Sequence, residues 1–343
     1  MTMAGYSACW YTPSEIFDER RSIPLKKAIC LIGSDYDFWF KIERKTKSGT
    51  MKLQTKENLA GYSFLALNFI GYIAFKLIPL VLALGLSVTK WNFASGFKNM
   101  EFVGLDNYAR LLHDDVFIRS LINTLIYGVV LVPVAIFLAL VFAVILNEYV
   151  FGKGILRLAF YLPNVSSMVA VSVVWMILFL PSYGPINQVL MTLGIDNPPR
   201  WLNATSTSLL SIIIVGIWQR IGYNIIVVLA GLQGISKSLY ESAEIDGANG
   251  IQKFFYITIP SLSNTMFFLT MISFISSFQV FTPVQVMTKG GPGNSSSVLV
   301  YYIYKNAFQY NEIGYATAMA WVLFFLVFIF TIGRMIFTRK NEG

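Results

Sequence analysis

Residues 120–146 read SLINTLIYGVVLVPVAIFLALVFAVIL, with no Asp, Glu, Lys or Arg. A helix needs about 20 mostly apolar residues to cross the hydrocarbon layer of a bilayer. This run meets that length with room to spare. Three further stretches pass the same test without a charge: 158–181, 264–288 and 315–333. Two more hold one cation each, 62–88 with Lys76 and 209–232 with Arg220. The six runs predict an all-α, polytopic membrane protein with six transmembrane helices.

Composition agrees. The 343 residues are 55% hydrophobic and 13% charged, whereas a soluble domain carries about 25% charge. The formal net charge is +8. In a soluble protein that excess would raise nucleic acid as a partner. In a membrane protein it raises the question of sidedness, because Lys and Arg collect in cytoplasmic loops. Six spans place both termini on one side. If that side is cytoplasmic, it receives Lys153 and Arg157, then Lys237 and Lys253, then Arg334, Arg339 and Lys340, besides the basic residues before the first span. The inner loops are short and basic, so both ends are expected in the cytoplasm of a cell-membrane protein.

The catalytic raw material is thin. Cys9 and Cys30 are the only cysteines and form no CxxC pair, so neither a disulfide framework nor a zinc site is indicated. His113 is the one histidine, and beside Asp114 and Asp115 it reads as a solvated loop residue. No span holds Asp, Glu, His or Cys. This disfavours an intramembrane enzyme and a secondary transporter, which needs intramembrane carboxylates for ion coupling. No G-x-x-x-x-G-K-[ST] occurs, so no phosphate-cradling loop for ATP is expected on this chain. Gly290–Gly293 is glycine-rich but reads as a turn.

Residues 1–50 mix charge, aromatics and proline without helical periodicity. They are either a cytoplasmic extension or the product of a start assigned too early, with Met51 as the true start. The domain expected to carry function is 51–343.

Between the fourth and fifth spans lies the segment 233–262, QGISKSLYESAEIDGANGIQKFFYITIPSL. Ser238 and Glu241 have the spacing of a capping box, and Gly247 is placed to end the helix they start. A second short helix is expected from Asn249, with Pro260 breaking the path before the next span. A helix, a glycine joint and a helix would suit docking in a partner's groove. An amphipathic loop lying on lipid is the alternative.

This segment resembles the EAA motif of ABC importer permeases: Glu-Ala-Ala, three residues, Gly, nine residues, Ile, one residue, Leu-Pro. Here it stands as Glu241, Ser242, Ala243, Gly247, Ile257, Ile259 and Pro260. Ser242 replaces an Ala and Ile259 a Leu. The run Asp246-Gly247-Ala248, with FVGLDNYARLL, YLPNVSSMVAVSVVW and MTKGGPGNSSSVLVYYIYKNAF, resembles the binding-protein-dependent, carbohydrate-importing branch. The resemblance implies a permease subunit that moves a sugar or oligosaccharide into the cytoplasm. It implies a coupling role for Glu241, Ser242, Ala243, Asp246, Gly247, Ala248 and Pro260. The implied partners are a second, unlike permease chain, two ATP-binding subunits that hold ATP and Mg, and an extracytoplasmic solute-binding protein. No cofactor is expected on this chain. A polyol or glycerol-phosphate cargo is the alternative within the same architecture.

Candidates for the substrate path follow from polarity inside spans. Arg220 lies mid-span, where a cation should face the bundle interior or water. Gln219, Tyr223 and Asn224 are its neighbours, and Asn224 shares its face. Trp175 or Trp218 could stack on a sugar ring, and Gln279 and Gln285 add polarity to the fifth span. Pairing of Arg220 with carbonyls or with a second subunit is the competing reading, and Lys76 is a weaker candidate that can snorkel.

Overall fold

A computed structural model describes residues 58–59, 61–92, 96, 100–148 and 153–341. The chain divides into two compact units, Met1–Leu77 and Ile78–Gly343. The described part of the first unit is almost entirely helical and includes a π turn over Ile73–Leu77. Its side chains are exposed, and the Lys76 ammonium lies 5.8 Å from the Tyr72 ring centre. Residues 1–50 and Met51 lie outside the described residues.

The second unit comprises α1 (Ile78–Ser87), strands β1 (Thr89–Lys90) and β2 (Glu101–Phe102), α2 (Asp106–Leu111) and the long α3 (Asp115–Glu148). Next come α4 (Lys153–Val165), α5 (Met168–Leu178), α6 (Pro185–Thr192) and α7 (Ser208–Gln233). They are followed by α8 (Lys237–Ile245), α9 (Gly250–Lys253), a π turn at Phe254–Thr258, α10 (Ile259–Ser261) and α11 (Ser263–Phe278). The chain continues through α12 (Leu299–Tyr304) to α13 (Ile313–Asn341). The strands form one antiparallel pair with Thr89 opposite Phe102.

Among the described residues, four helices are long and apolar enough to cross a membrane: Gly61–Ser87, Asp115–Asn147, Ser208–Gln233 and Ile313–Ile336. Two bent pairs pass the same test, Gly154–Val165 with Met168–Leu178 and Gly250–Ser261 with Ser263–Phe278. The spans thus number six if each bent pair is one crossing.

Two of the expected spans are not single rods. The stretch 158–181 breaks at Ser166–Ser167, where α4 and α5 meet at 98°. Ser167 is extended (ψ 125°) and caps nothing with its side chain. The stretch 264–288 ends as a helix at Phe278, and Gln279 begins a short interruption before the π turn Val284–Thr288. Free backbone groups at such breaks are tolerated at membrane depth only against protein or water.

The core is a helix bundle centred on α3 and α7. Leu131, Val132 and Ile136 of α3 join Ile212, Ile225 and Val228 of α7 in one buried cluster. Ala135, Ala139 and Ala143 of α3 are fully buried at four-residue intervals, and small residues permit close helix approach where lipid offers no hydrophobic drive. The tightest crossing is between α4 and α7. A Cβ placed on Gly222 would collide with the backbone carbonyl of Phe160.

Gly222→Val should therefore force α4 off α7, at a cost of about 1–3 kcal/mol or more. Gly85, with nothing within 4 Å of its Cβ position, should accept Ala. The check is the thermal unfolding midpoint of each variant in detergent, with only the first one lowered.

Candidate functional site

Both α3 and α7 begin at one end of the bundle, and the segment after Thr288 seals that end. Asn123 of α3 donates to the carbonyl oxygens of Asn294, Ser295 and Ser297, at 3.3, 3.1 and 2.8 Å. The hydroxyls of Ser120 and Ser297 lie 2.8 Å apart, as do those of Ser208 and Ser295. The Leu299 N–H donates to the Thr124 hydroxyl. Ser120, Asn123, Thr124, Ser208 and Ser297 are buried, so these bonds meet polar demands that would otherwise cost energy in an apolar setting. The glycine-rich run is a turn, with positive φ at Lys289, Gly290, Gly293 and Asn294.

Asp114 anchors the same end. One carboxylate oxygen accepts the Val116 and Phe117 N–H groups, capping α3. The other accepts the Tyr302 and Tyr315 hydroxyls at 2.7 and 2.6 Å. Arg110 stacks 4.0 Å from the Tyr315 ring centre and pairs with Glu312 at 2.8 Å. Partial burial pushes the Asp114 carboxyl up, but the Tyr315 and Tyr302 hydroxyls and the backbone N–H groups outweigh it and hold it below its ordinary 3.8. Burial, and then the hydrogen bond to Asp114, push the Tyr302 hydroxyl well above its ordinary value. Sequence reasoning treated Asp114 as loop. The signal was present: an Asp three residues before Phe117, at the start of an apolar run, is an N-cap pattern.

The opposite end carries the elbow. α8 starts after Ser236, whose extended backbone (ψ 131°) breaks the path from α7. Ser238 therefore lies inside the first turn, with its hydroxyl 2.8 Å from that of Ser236, and the expected Ser238–Glu241 box does not form. The box occurs one helix later. The Gln252 N–H donates to the Asn249 side chain at 2.9 Å, and the Asn249 N–H to the Gln252 side chain at 2.8 Å. Gly247 does end α8. It has φ +78°, the Gly247 N–H donates to the Glu244 carbonyl, and the Ala248 N–H donates to the Ala243 carbonyl at 2.8 Å. This is a Schellman closure, which favours glycine at the left-handed position. Pro260 does not break the path. It sits in the first turn of α10, where no N–H is required, and the bend of 64° comes at the buried Leu262.

Two ties hold the elbow's arms together. The Tyr240 and Thr258 hydroxyls are 2.9 Å apart, and Lys253 reaches Glu244 at 2.8 Å. The other face is open: Glu241, Ser242, Asp246 and Gly247 are exposed, and Ala243 and Ala248 are half-buried. Ile245 is 87% exposed, Ile251 71% and Tyr256 80%.

Inside the bundle, α7 places Arg220 and Gln219 half-buried, and Trp218 exposed. Trp175 of α5 meets Trp218 edge-on at 5.6 Å, and Phe179 at 5.1 Å. Asn224 is fully buried, and neither amide atom has a hydrogen-bond partner among the described residues. Gln279 is exposed just past the end of α11, and no hydrogen bond joins it to Arg220 or Asn224 among the described residues. The Gln285 side-chain oxygen is buried without a partner. The structure therefore brings Trp175 and Trp218 together, keeps Arg220 and Asn224 one turn apart, and leaves Gln279 separate.

The family described as binding-protein-dependent transport system inner membrane component matches residues 109–342, which include the seal, the polar centre and the elbow. The chain belongs to this family. A relative named as a probable ABC transporter permease, YesP of Bacillus subtilis (strain 168), is 38% identical over 281 residues, covering 81% of this chain and 89% of that protein. The lactose transport system permease LacF of Rhizobium radiobacter is 34% identical over 287 residues, 82% and 95% of the two chains. A chain of a bacterial alginate ABC transporter, solved in complex with an alginate pentasaccharide-bound periplasmic protein, superimposes with a TM-score of 0.73 at 25% identity, covering 84% and 96%. The protein is thus a multi-pass ABC permease component, a transport subunit of binding-protein-dependent import and not an enzyme.

Asp114→Ala should lower the thermal midpoint at neutral pH, since it removes a helix cap worth about 1 kcal/mol and two tyrosine partners. A depressed carboxylate stabilises the fold above its unfolded value and loses that contribution as pH falls through the folded value. The gap between wild type and Asp114→Ala should therefore be widest near neutral pH and shrink as the solution is acidified below about pH 4. Thermal unfolding across that range checks it.

Proposed function

We propose that this chain is one half of the membrane domain of an ATP-driven importer, and that it passes a sugar or oligosaccharide into the cytoplasm. The observation that carries the coupling part is the elbow. A membrane protein that leaves Ile245, Ile251 and Tyr256 open beside exposed Glu241 and Asp246 presents a docking surface for another protein. The Schellman turn at Gly247 fixes the angle at which that surface is offered. A separate ATP-binding subunit, holding ATP and Mg, is the partner in this reading. Its movement would reach α7 through Gly234 and Ser236, and α11 through Leu262. Glu241 supplies polar contacts, Ser242 and Ala243 permit close approach, and Asp246, Gly247 and Ala248 form the turn.

The carbohydrate part rests on the lactose relative and on the aromatic and polar side chains of the bundle. Trp175 and Trp218 offer ring faces and Arg220, Gln219, Asn224 and Gln279 offer hydrogen bonds along the path. The assembly would hold a second, unlike permease chain, two ATP-binding subunits and an extracytoplasmic binding protein. Both termini would lie in the cytoplasm, on the elbow side, in agreement with the basic loops there. The functional domain would be 51–343.

Gly247→Pro tests the coupling. Proline cannot adopt φ +78°, so the turn must rearrange while the spans remain. The variant is expected at normal levels in the membrane, with uptake lost and ATP hydrolysis no longer stimulated by loaded binding protein. Normal uptake by that variant would remove the coupling role from the elbow.

A further inference from the structure

Arg220 stands midway along the 26-residue α7. The other arginines of the described spans, Arg119, Arg157 and Arg334, lie toward the ends of their helices. A guanidinium stays charged in proteins, and at the centre of a span that charge is costly. Such a charge needs an opposite one or a dense set of acceptors. Neither is present among the described residues. The ion pairs found there are Arg110–Glu312 and Lys253–Glu244, both outside the bundle's middle. No Asp or Glu occurs in α5, α7, α11 or α13, and α3 has acids only at its two terminal residues. The ionisable groups that act on Arg220 are the phenols of Tyr127 and Tyr223.

A second unmet demand lies one turn away. Asn224, on the same face of α7, is fully buried with both amide atoms unpartnered. A buried amide left so carries its full desolvation penalty. Two polar groups one turn apart, a cation and a buried amide, therefore lack a matching partner among the described residues. A guanidinium and an amide on one helix face suit a solute that carries a negative charge beside its hydroxyls.

We propose that the cargo is an anionic saccharide, bearing a carboxylate or a phosphate, and that Arg220 neutralises this group during translocation. The inference rests on the carbohydrate reading above and narrows it. Guanidinium binds either anion in a two-pronged, charge-assisted geometry. Arg220 acts after delivery by the binding protein, so its loss should lower the maximal rate and leave the half-saturating concentration unchanged.

The test uses the complete importer, with its binding protein and ATP-binding subunits, in uptake assays. Three panels of short oligosaccharides serve as probes: neutral, uronate-bearing and phosphorylated. Wild type should import members of one anionic panel, and the panel used identifies the anion as carboxylate or phosphate. Arg220→Gln should lower the maximal rate for that cargo by about tenfold, the scale of one lost charge-assisted hydrogen bond. Arg220→Lys keeps the charge and should retain more of the rate, which also guards against a variant that merely fails to fold. Import of neutral sugars alone overturns the anionic proposal and leaves the carbohydrate reading standing. Undiminished anion import by Arg220→Gln also overturns the proposal, by removing Arg220 from the path. Import of none of the three panels overturns the carbohydrate reading as well.

Discussion

Helices in lipid gain nothing by hiding from water, so they must meet through close backbone approach and through polar groups that find partners. The crossing of α4 over α7 obeys this constraint most tightly. The Phe160 carbonyl occupies the space that a side chain at residue 222 would need. That contact seats the broken third segment against α7, and α7 in turn shares its buried cluster with α3 and with Leu262 and Leu269 of the elbow side. The seal at the far end depends on the same pairing. Asn123 and Ser208 can both bond the segment 294–297 only because α3 and α7 start side by side.

The two ends of α7 thus differ in kind. At its start the surrounding polar groups are saturated with hydrogen bonds, which gives a fixed cap. At its close, Ser236 breaks the helix and hands the chain to an elbow with two ties inside and an apolar face outside. Midway sits a cation with no counter-charge among the described residues. The helix is thus fixed at one end, polar at its middle and joined at the other end to an exposed elbow.

Much of this was legible in the chain. The uncharged run 120–146 forms part of one long helix, and Gly247 ends α8 in the conformation its position in the segment implied. Asn249 starts the next helix, as expected. Other readings went astray for local reasons. Ser238 lost the cap because the extended residue is Ser236. Pro260 sits in a first helical turn and is harmless there. The apolar run 158–181 looked like one rod because hydropathy is blind to direction, and the bend at Ser166–Ser167 leaves composition unchanged.

By itself, then, the sequence determined the membrane class, the approximate course of the spans and the glycine joint of the elbow. Each of these depends on short-range properties: the length of an apolar run, or a backbone angle that one residue type tolerates. Only the tertiary structure decided that Asp114 is shared by two distant tyrosines, that Trp175 meets Trp218, and that Asn224 is buried without a partner. Those facts depend on which side chains from remote parts of the chain arrive at the same place. Helix crossings set that meeting, and no single stretch of residues encodes a crossing alone.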